Sequence, residues 1–359
     1  MFTSDFHFEL PPDLIARRPA PERDQSRLMV LPRDGGPLQH RVFAELPALL
    51  RAGDLLVLND SRVVPARLRG QREPGGGKFE VLLLEENGPG DWWVMLRPGK
   101  RVRPGSRLRF RSADGAPSPL AATVEAKNPE GWCRLRFEGV EDLRAALETH
   151  GEVPLPPYLH GGRPGNDPED RTRYQTVYAR HDGSVAAPTA GLHFTPALLD
   201  RIRGRGVTIA PLTLHVGHGT FAPVKTGRIA DHVMHEERFT VSAETAEAWR
   251  RTRETGGRVI AVGTTCVRVL EHLARLNGGP VRAASGRTRI FLHPPAPFLA
   301  VDAMITNFHL PGSTLLMLVS AFAAPGETDR GRIRILDAYR EAIRLRYRFY
   351  SYGDAMFIA

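Results

Sequence analysis

Cysteine is nearly missing from this chain: two of its 359 residues, Cys133 and Cys266, are all it has. That scarcity excludes a disulfide scaffold, and the two positions are too far apart for a short-spaced thiol metal site. It fits a reducing compartment. The first fourteen residues carry acids and prolines with no apolar core, so a secretory leader is not expected. The longest apolar run, Leu315 to Ala324, is too short for a bilayer. A cytoplasmic protein with no membrane partner is therefore expected. Internal repeats and long low-complexity linkers are absent. So are three nucleotide and metal signatures. Gly263-Thr264-Thr265 is not followed by the Gly-Lys-Ser/Thr of a phosphate loop, no G-x-G-x-x-G occurs, and His235-Glu236 lacks its zincin partner because position 239 is Phe.

What the chain does have is a net charge of +9, supplied mostly by arginine, and an ordinary hydrophobic fraction of 42%. The length allows two or three domains, and the charge points to a polyanionic partner, nucleic acid before membrane. Between about 62 and 153, short runs alternate with period two, as in Phe79–Leu84, Trp92–Leu96, Arg107–Phe110 and Trp132–Phe137, with Gly- and Pro-rich turns between them. Such spacing predicts a small β-barrel. Beyond Pro154, buried-strand patterns such as Arg258–Gly263 alternate with helical ones, which predicts an α/β sheet. The expected fold is a layered α/β body, residues 1–61 and 154–359, interrupted by the barrel at 62–153.

Five polar segments can carry chemistry. Thr306-Asn307-Phe308-His309-Leu310-Pro311-Gly312-Ser313-Thr314 reads as a turn between a buried strand and a buried helix that Ser313 or Thr314 caps. Pro188-Thr189-Ala190-Gly191-Leu192-His193 combines small residues, which let backbone approach a ligand, with hydroxyl and imidazole groups. His215-Val216-Gly217-His218-Gly219-Thr220 and Asp231 to Glu237, with His235 and Glu236, concentrate histidine and carboxylate. Their spacing fits acid–base work better than a metal, and no metal is expected. Thr264-Thr265-Cys266-Val267-Arg268 sits where a strand turns into a helix, with hydroxyls at the N-terminus and an Arg able to pair with a carboxylate. Arg97, Lys100, Arg101, Arg103, Arg107, Arg109 and Arg111 follow Trp92 and Trp93 with no acid among them, as a phosphate-binding barrel face would. Each segment also reads as ordinary turn, cap or core chemistry when taken alone.

Taken together, they resemble one family, the S-adenosylmethionine:tRNA ribosyltransferase-isomerases of queuosine biosynthesis. The resemblance rests on segments spread almost end to end. These include Asp5–Pro11, Asp54–Val63, Gly151–Tyr158, Arg173–Ala179, Ala187–Phe194, His215–Phe221, Thr306–Thr314 and Tyr347–Met356. It implies an α/β body with an inserted barrel, and tRNA and S-adenosylmethionine as partners. The ribosyl group of the latter would be transferred and isomerised onto a 7-aminomethyl-7-deazaguanine wobble base, giving epoxyqueuosine-tRNA, adenine and methionine. The sulfonium compound is then a consumed co-substrate, and no cofactor is implied. Cys266 stands where the family usually has Ser, and His293-Pro294-Pro295-Ala296-Pro297 where it usually has a Pro-Gly turn.

On this basis His215, His235 with Glu236, and His309 are the expected acid–base residues. Pro188, Thr189, Gly191, His193, Gly217, Gly219, Thr220, Thr264, Thr265, Arg268, Asn307, Ser313 and Thr314 are expected to bind the co-substrate. Arg97, Lys100, Arg101 and Arg103 are expected to bind tRNA. A monomer is expected. A non-catalytic RNA-binding protein is the alternative that charge and barrel also fit, and a metal-dependent hydrolase is a further rival.

Overall fold

The computed structural model describes residues 1–100, 102–160, 167–217, 219 and 224–359. Arg101, His218 and Thr220, named above, lie outside them. The chain forms two compact units: Met1–Arg62 with Gln175–His181 and Ala187–Ala359, and Val63–Tyr174 with Asp182–Ala186.

The first unit is built on a nine-stranded mixed sheet. In spatial order its strands are Ala284–Thr288, Glu237–Val241, Thr208–Leu214, Leu55–Asn59, Val259–Val262, Ala303–Asn307, Ala355–Ile358, Arg27–Leu31 and Gln39–Val42. The central four, Thr208–Leu214 to Ala303–Asn307, run parallel, with Leu56 opposite Ile260 and Ile260 opposite Ala303. Three of these four are buried at every position. That is why they read as unbroken apolar runs: a parallel sheet has both faces covered.

Helices Pro196–Gly204, Thr264–Leu276 and Thr314–Ala323 help supply the cover. Leu198, Leu199 and Ile202 of the first join Leu56, Leu58, Ile260, Val262 and Ile305 in one apolar cluster. Each such side chain contributes roughly 1.5–3 kcal/mol on burial. The helix at 264 has hydroxyls at its N-terminus, yet neither threonine caps it. Gly263 is its N-cap residue, at φ +87°, and no side chain caps it. A residue with a Cβ is strained at that φ, so Gly263 permits the sharp strand-to-helix turn.

The second unit contains a closed barrel of six antiparallel strands, in order Cys133–Glu138, Asp91–Arg97, Lys78–Gly88, Arg67–Glu73, Arg107–Arg111 and Pro117–Lys127. Phe79, Val81, Leu83, Val94, Leu96, Leu108, Phe110, Leu135 and Phe137 point inward, as the alternation requires. Trp92 belongs to that interior rather than to an exposed stacking face; it is buried because its position shares the inward phase of Val94 and Leu96.

Candidate active site

The carboxyl ends of the parallel strands gather the polar segments, the place where open α/β sheets bind ligands. Asn59, at the end of its strand, clasps the neighbouring one. Its Nδ2 donates to the Leu214 carbonyl at 3.0 Å and its Oδ1 accepts from Leu214 N at 3.0 Å. Asp60 accepts from Thr213 Oγ1 at 2.6 Å. Asn307 closes the strand at 303. Its Oδ1 accepts from Thr189 Oγ1 at 2.8 Å, and its Nδ2 faces His193 Nε2 at 3.2 Å and the Tyr350 carbonyl at 3.3 Å. An amide nitrogen only donates, so His193 Nε2 accepts and the ring carries its proton on Nδ1, toward Ser26 Oγ at 2.7 Å. His193 also stacks on Phe43 at 5.0 Å. Burial, with help from the Arg348 and Arg23 cations, pushes its pKa down to about 3. His193, Asn307 and Thr189 thus form a satisfied neutral lock. Pro188 and Gly191 shape the same loop: the Pro188 carbonyl accepts from Gly191 N at 2.8 Å. A Cβ on Gly191 would lie 2.1 Å from Tyr178 Oη.

His309 is held in a similar way. Its Nε2 meets Thr306 Oγ1 at 2.7 Å, its backbone N–H donates to Tyr339 Oη at 2.8 Å, and burial pushes its pKa down to about 3. Ser313 caps the following helix, accepting from Leu316 N at 3.2 Å and donating to the Leu310 carbonyl at 2.7 Å.

Other segments converge on a pocket of about 240 Å³ in this unit, lined by Gly219, Lys225, Thr226, His232, Met234, His235, Glu237, Arg268, Thr314 and Leu315. Arg268, 5% exposed, pairs through Nη1 with the equally buried Glu237. Glu237 Oε1 accepts from Gly217 N at 3.0 Å, which fixes that carboxylate from its other side. Breaking a buried pair of this kind costs about 3–5 kcal/mol, because one charge stays uncompensated. The Nη2 of Arg268 is buried and has no partner among the described residues, and the same holds for Thr226 Oγ1. A buried donor is stabilised by an acceptor, so a ligand oxygen placed here would be favoured. His235 packs beside Gly219, where a Cβ would come within 2.3 Å of its ring. Burial lowers the pKa of His232, with His235 adding to the effect.

Four expected site residues, Gly219, His235, Arg268 and Thr314, therefore meet in one pocket, with Gly217 braced on its wall through Glu237. His309, His193, Asn307 and Ser313 are not among its lining residues. Glu236 turns to Arg289 at 2.8 Å instead. Thr264, 7% exposed, begins the helix that carries Arg268; the Thr265 hydroxyl lies by the buried Cys266 thiol, which burial pushes up. His215 follows the strand Thr208–Leu214, with its backbone N–H on the Arg238 carbonyl at 2.9 Å. Sequence reasoning missed Lys225 and Thr226, for which no local pattern gives a signal. It also gave no role to Glu237, whose partner is 31 residues away.

A sequence model of the queuosine biosynthesis protein family matches residues 3–358. The chain belongs to that family. Among relatives of the queuosine biosynthesis family, a protein named S-adenosylmethionine:tRNA ribosyltransferase-isomerase from Pelobacter propionicus is 51% identical over the whole of both chains. One of the same name from Citrifermentans bemidjiense is 50% identical, again over both full lengths. The crystal structure of an S-adenosylmethionine tRNA ribosyltransferase from Thermotoga maritima is similar over 99% of this chain and 100% of its own, with 38% identity and a TM-score of 0.55. The α/β body with a small barrel is thus the fold of this queuosine family.

The barrel unit separates two classes of arginine. Arg107 and Arg109 on the strand face pair with Glu73, and Arg134 and Arg136 with Asp91 and Glu125. No ion pair involves Arg97, Lys100 or Arg103 among the described residues, and all three are exposed. Arg111, by contrast, bonds the Gly115 carbonyl and Gln71 Oε1.

Proposed function

We propose that the chain transfers and isomerises the ribosyl group of S-adenosylmethionine onto the aminomethyl group of a 7-aminomethyl-7-deazaguanine wobble base in tRNA, releasing adenine and methionine. The observation that carries this reading is the pocket at the carboxyl ends of the parallel strands. There a buried arginine, a hydroxyl and a histidine meet in a chain that aligns end to end with proteins named for that reaction.

The sulfonium acidifies the attached ribose methylene, and a base removes one of its protons. Adenine departs with the glycosidic pair and takes up a proton. The amine bonds to the ring carbon next to the methylene, losing a proton as that carbon's bond to the ring oxygen breaks. The methylene carbon bonds to the former anomeric carbon, and the oxygen left there closes the epoxide as methionine leaves with the C–S pair. Net, the positive charge of the sulfonium leaves as one proton. His235 is the base this geometry favours, since it lines the pocket. With pKa values near 3, His309 and His193 stay neutral at physiological pH and are weak bases there. Their supporting role is to hold the strand-end turn and the 188–193 loop in shape. His215 and Glu236 remain candidates for the proton delivered to adenine. Thr264, Thr265 and Thr314 offer hydroxyls and helix N-termini to the co-substrate.

On the barrel unit, Arg97, Lys100 and Arg103 are the cations left for tRNA phosphates, with Arg101 beside them in sequence. S-adenosylmethionine serves as co-substrate, with no resident cofactor in the scheme. We place the protein in the cytoplasm as a monomer; no helix of the described residues is long and apolar enough to cross a membrane. Chromatographic detection of adenine after mixing protein, S-adenosylmethionine and tRNA bearing the aminomethyl base tests the proposal. Adenine formed only with all three supports it, and none formed favours the non-catalytic RNA-binding alternative.

A further inference from the structure

We infer that the end of the pocket formed by Arg268, Thr226 and Lys225 reads the α-carboxylate of the co-substrate, and that Glu237 is the positioning residue for this contact. The inference rests on the proposed use of S-adenosylmethionine. At about 240 Å³ the pocket is smaller than the roughly 300–1,000 Å³ sites that engulf a drug-sized molecule, so it takes one end of the co-substrate rather than all of it. The chemistry of the unpaired groups selects which end. Arg268 Nη2 and Thr226 Oγ1 are both buried, and neither has a hydrogen-bond partner among the described residues. A carboxylate supplies acceptor oxygens to both and is the only anionic group on S-adenosylmethionine. Lys225 adds a cation to the lining, while Glu237 balances Arg268. Met234 and Leu315 offer apolar surface to the methylenes beyond.

Glu237 controls how Arg268 presents itself. It takes Nη1 and is itself held by Gly217 N at 3.0 Å, while Nε donates to the Ile290 carbonyl at 3.4 Å, so Nη2 is the nitrogen left for the ligand. The contact is therefore a charge-assisted one through Nη2, aided by the Thr226 hydroxyl. A co-substrate without its carboxylate loses that contact and leaves both donors unsatisfied.

The test compares S-adenosylmethionine with its decarboxylated analogue in adenine release, using the full chain and tRNA bearing the aminomethyl base. Wild type is expected to prefer the carboxylate form by about 10- to 100-fold in kcat/KM. Thr226→Val, which keeps shape and removes the hydroxyl, narrows that preference by raising KM for S-adenosylmethionine alone. The paired change Arg268→Met with Glu237→Gln abolishes it. Glu237→Gln alone frees Arg268 from its partner and lowers kcat/KM for S-adenosylmethionine more than for the analogue, a split that general loss of structure does not produce. If the paired variant fails to fold, Thr226→Val decides the matter. Equal use of both compounds by wild type, or variants that slow both equally, overturns the assignment. Absence of adenine release from either compound in wild type overturns the proposed function instead.

Discussion

The Asn307 amide sits 3.2 Å from His193 Nε2, and this contact ties the end of a central parallel strand to the 188–193 loop. Because the amide must donate, it fixes the histidine as the neutral Nδ1–H tautomer. Asn307→Asp keeps the shape and reverses the chemistry: a carboxylate then faces an imidazole lone pair and the Tyr350 carbonyl. We expect a loss of about 3–5 kcal/mol at neutral pH, the range for an uncompensated buried charge. The deficit shrinks as pH falls, because a protonated His193 donates to the new carboxylate. Denaturant unfolding at pH 5 and pH 7.5 checks this, and a pH-independent deficit contradicts it.

His193 and His309 make stability pH-dependent with a defined sign. Both are pushed down to about 3, from an ordinary 6.5. A depressed histidine means the unfolded chain binds more protons than the folded one across that window. Stability is thus fully present above about pH 6.5 and is lost as pH falls toward 3. The transition temperature should drop steadily below pH 6.5, and His309→Gln should flatten part of that limb. A wild-type profile flat from pH 7 to 5 contradicts the account.

His235 lines the pocket and His309 does not. His235→Gln should lower kcat for adenine release by about 10²–10⁴-fold, the usual range for a general base, with a much smaller change in stability. His309→Gln should act chiefly through stability. Single-turnover rates alongside thermal unfolding separate the two effects.

The cations outside ion pairs, Arg97, Lys100 and Arg103, and the paired strand arginines should differ in their tRNA contribution. Replacing Arg97, Lys100 or Arg103 by Ala should each lower the slope of log affinity against log salt by about one. Arg109→Ala should barely change it, since its Nε already sits 2.6 Å from Glu73. Salt titrations of tRNA binding decide between them; equal slopes for all four variants contradict the contrast.

Gly191 is closely confined. An added Cβ lies 2.1 Å from Tyr178 Oη, so Gly191→Ala should cost about 1–3 kcal/mol through overpacking. Tyr178→Phe removes the oxygen in the way, and the double variant should recover part of that loss. Additive costs in the double-mutant cycle contradict the contact.

Local patterns in the sequence carried the strands and helices. Alternation identified the barrel strands because inward Leu108 and Phe110 are separated by outward arginines. The unbroken run at 259–262 marked a strand covered on both faces, and Ser313 marked the helix that it caps. Long-range pairing left no such mark. Glu237 and Arg268 look like isolated charges until the fold brings them together. The arginines at 107 and 109 look like free cations until Glu73 is laid across from them. The position of His309 in a polar turn gives no hint that burial pushes its pKa down to about 3.

The most direct test of the central claim is the stoichiometry of one reaction. Purified protein is incubated with S-adenosylmethionine and tRNA bearing the 7-aminomethyl-7-deazaguanine base, and adenine is counted against the nucleoside of increased mass recovered from the tRNA. The account predicts one adenine per epoxyqueuosine formed. Adenine without modified nucleoside, or neither product, contradicts it.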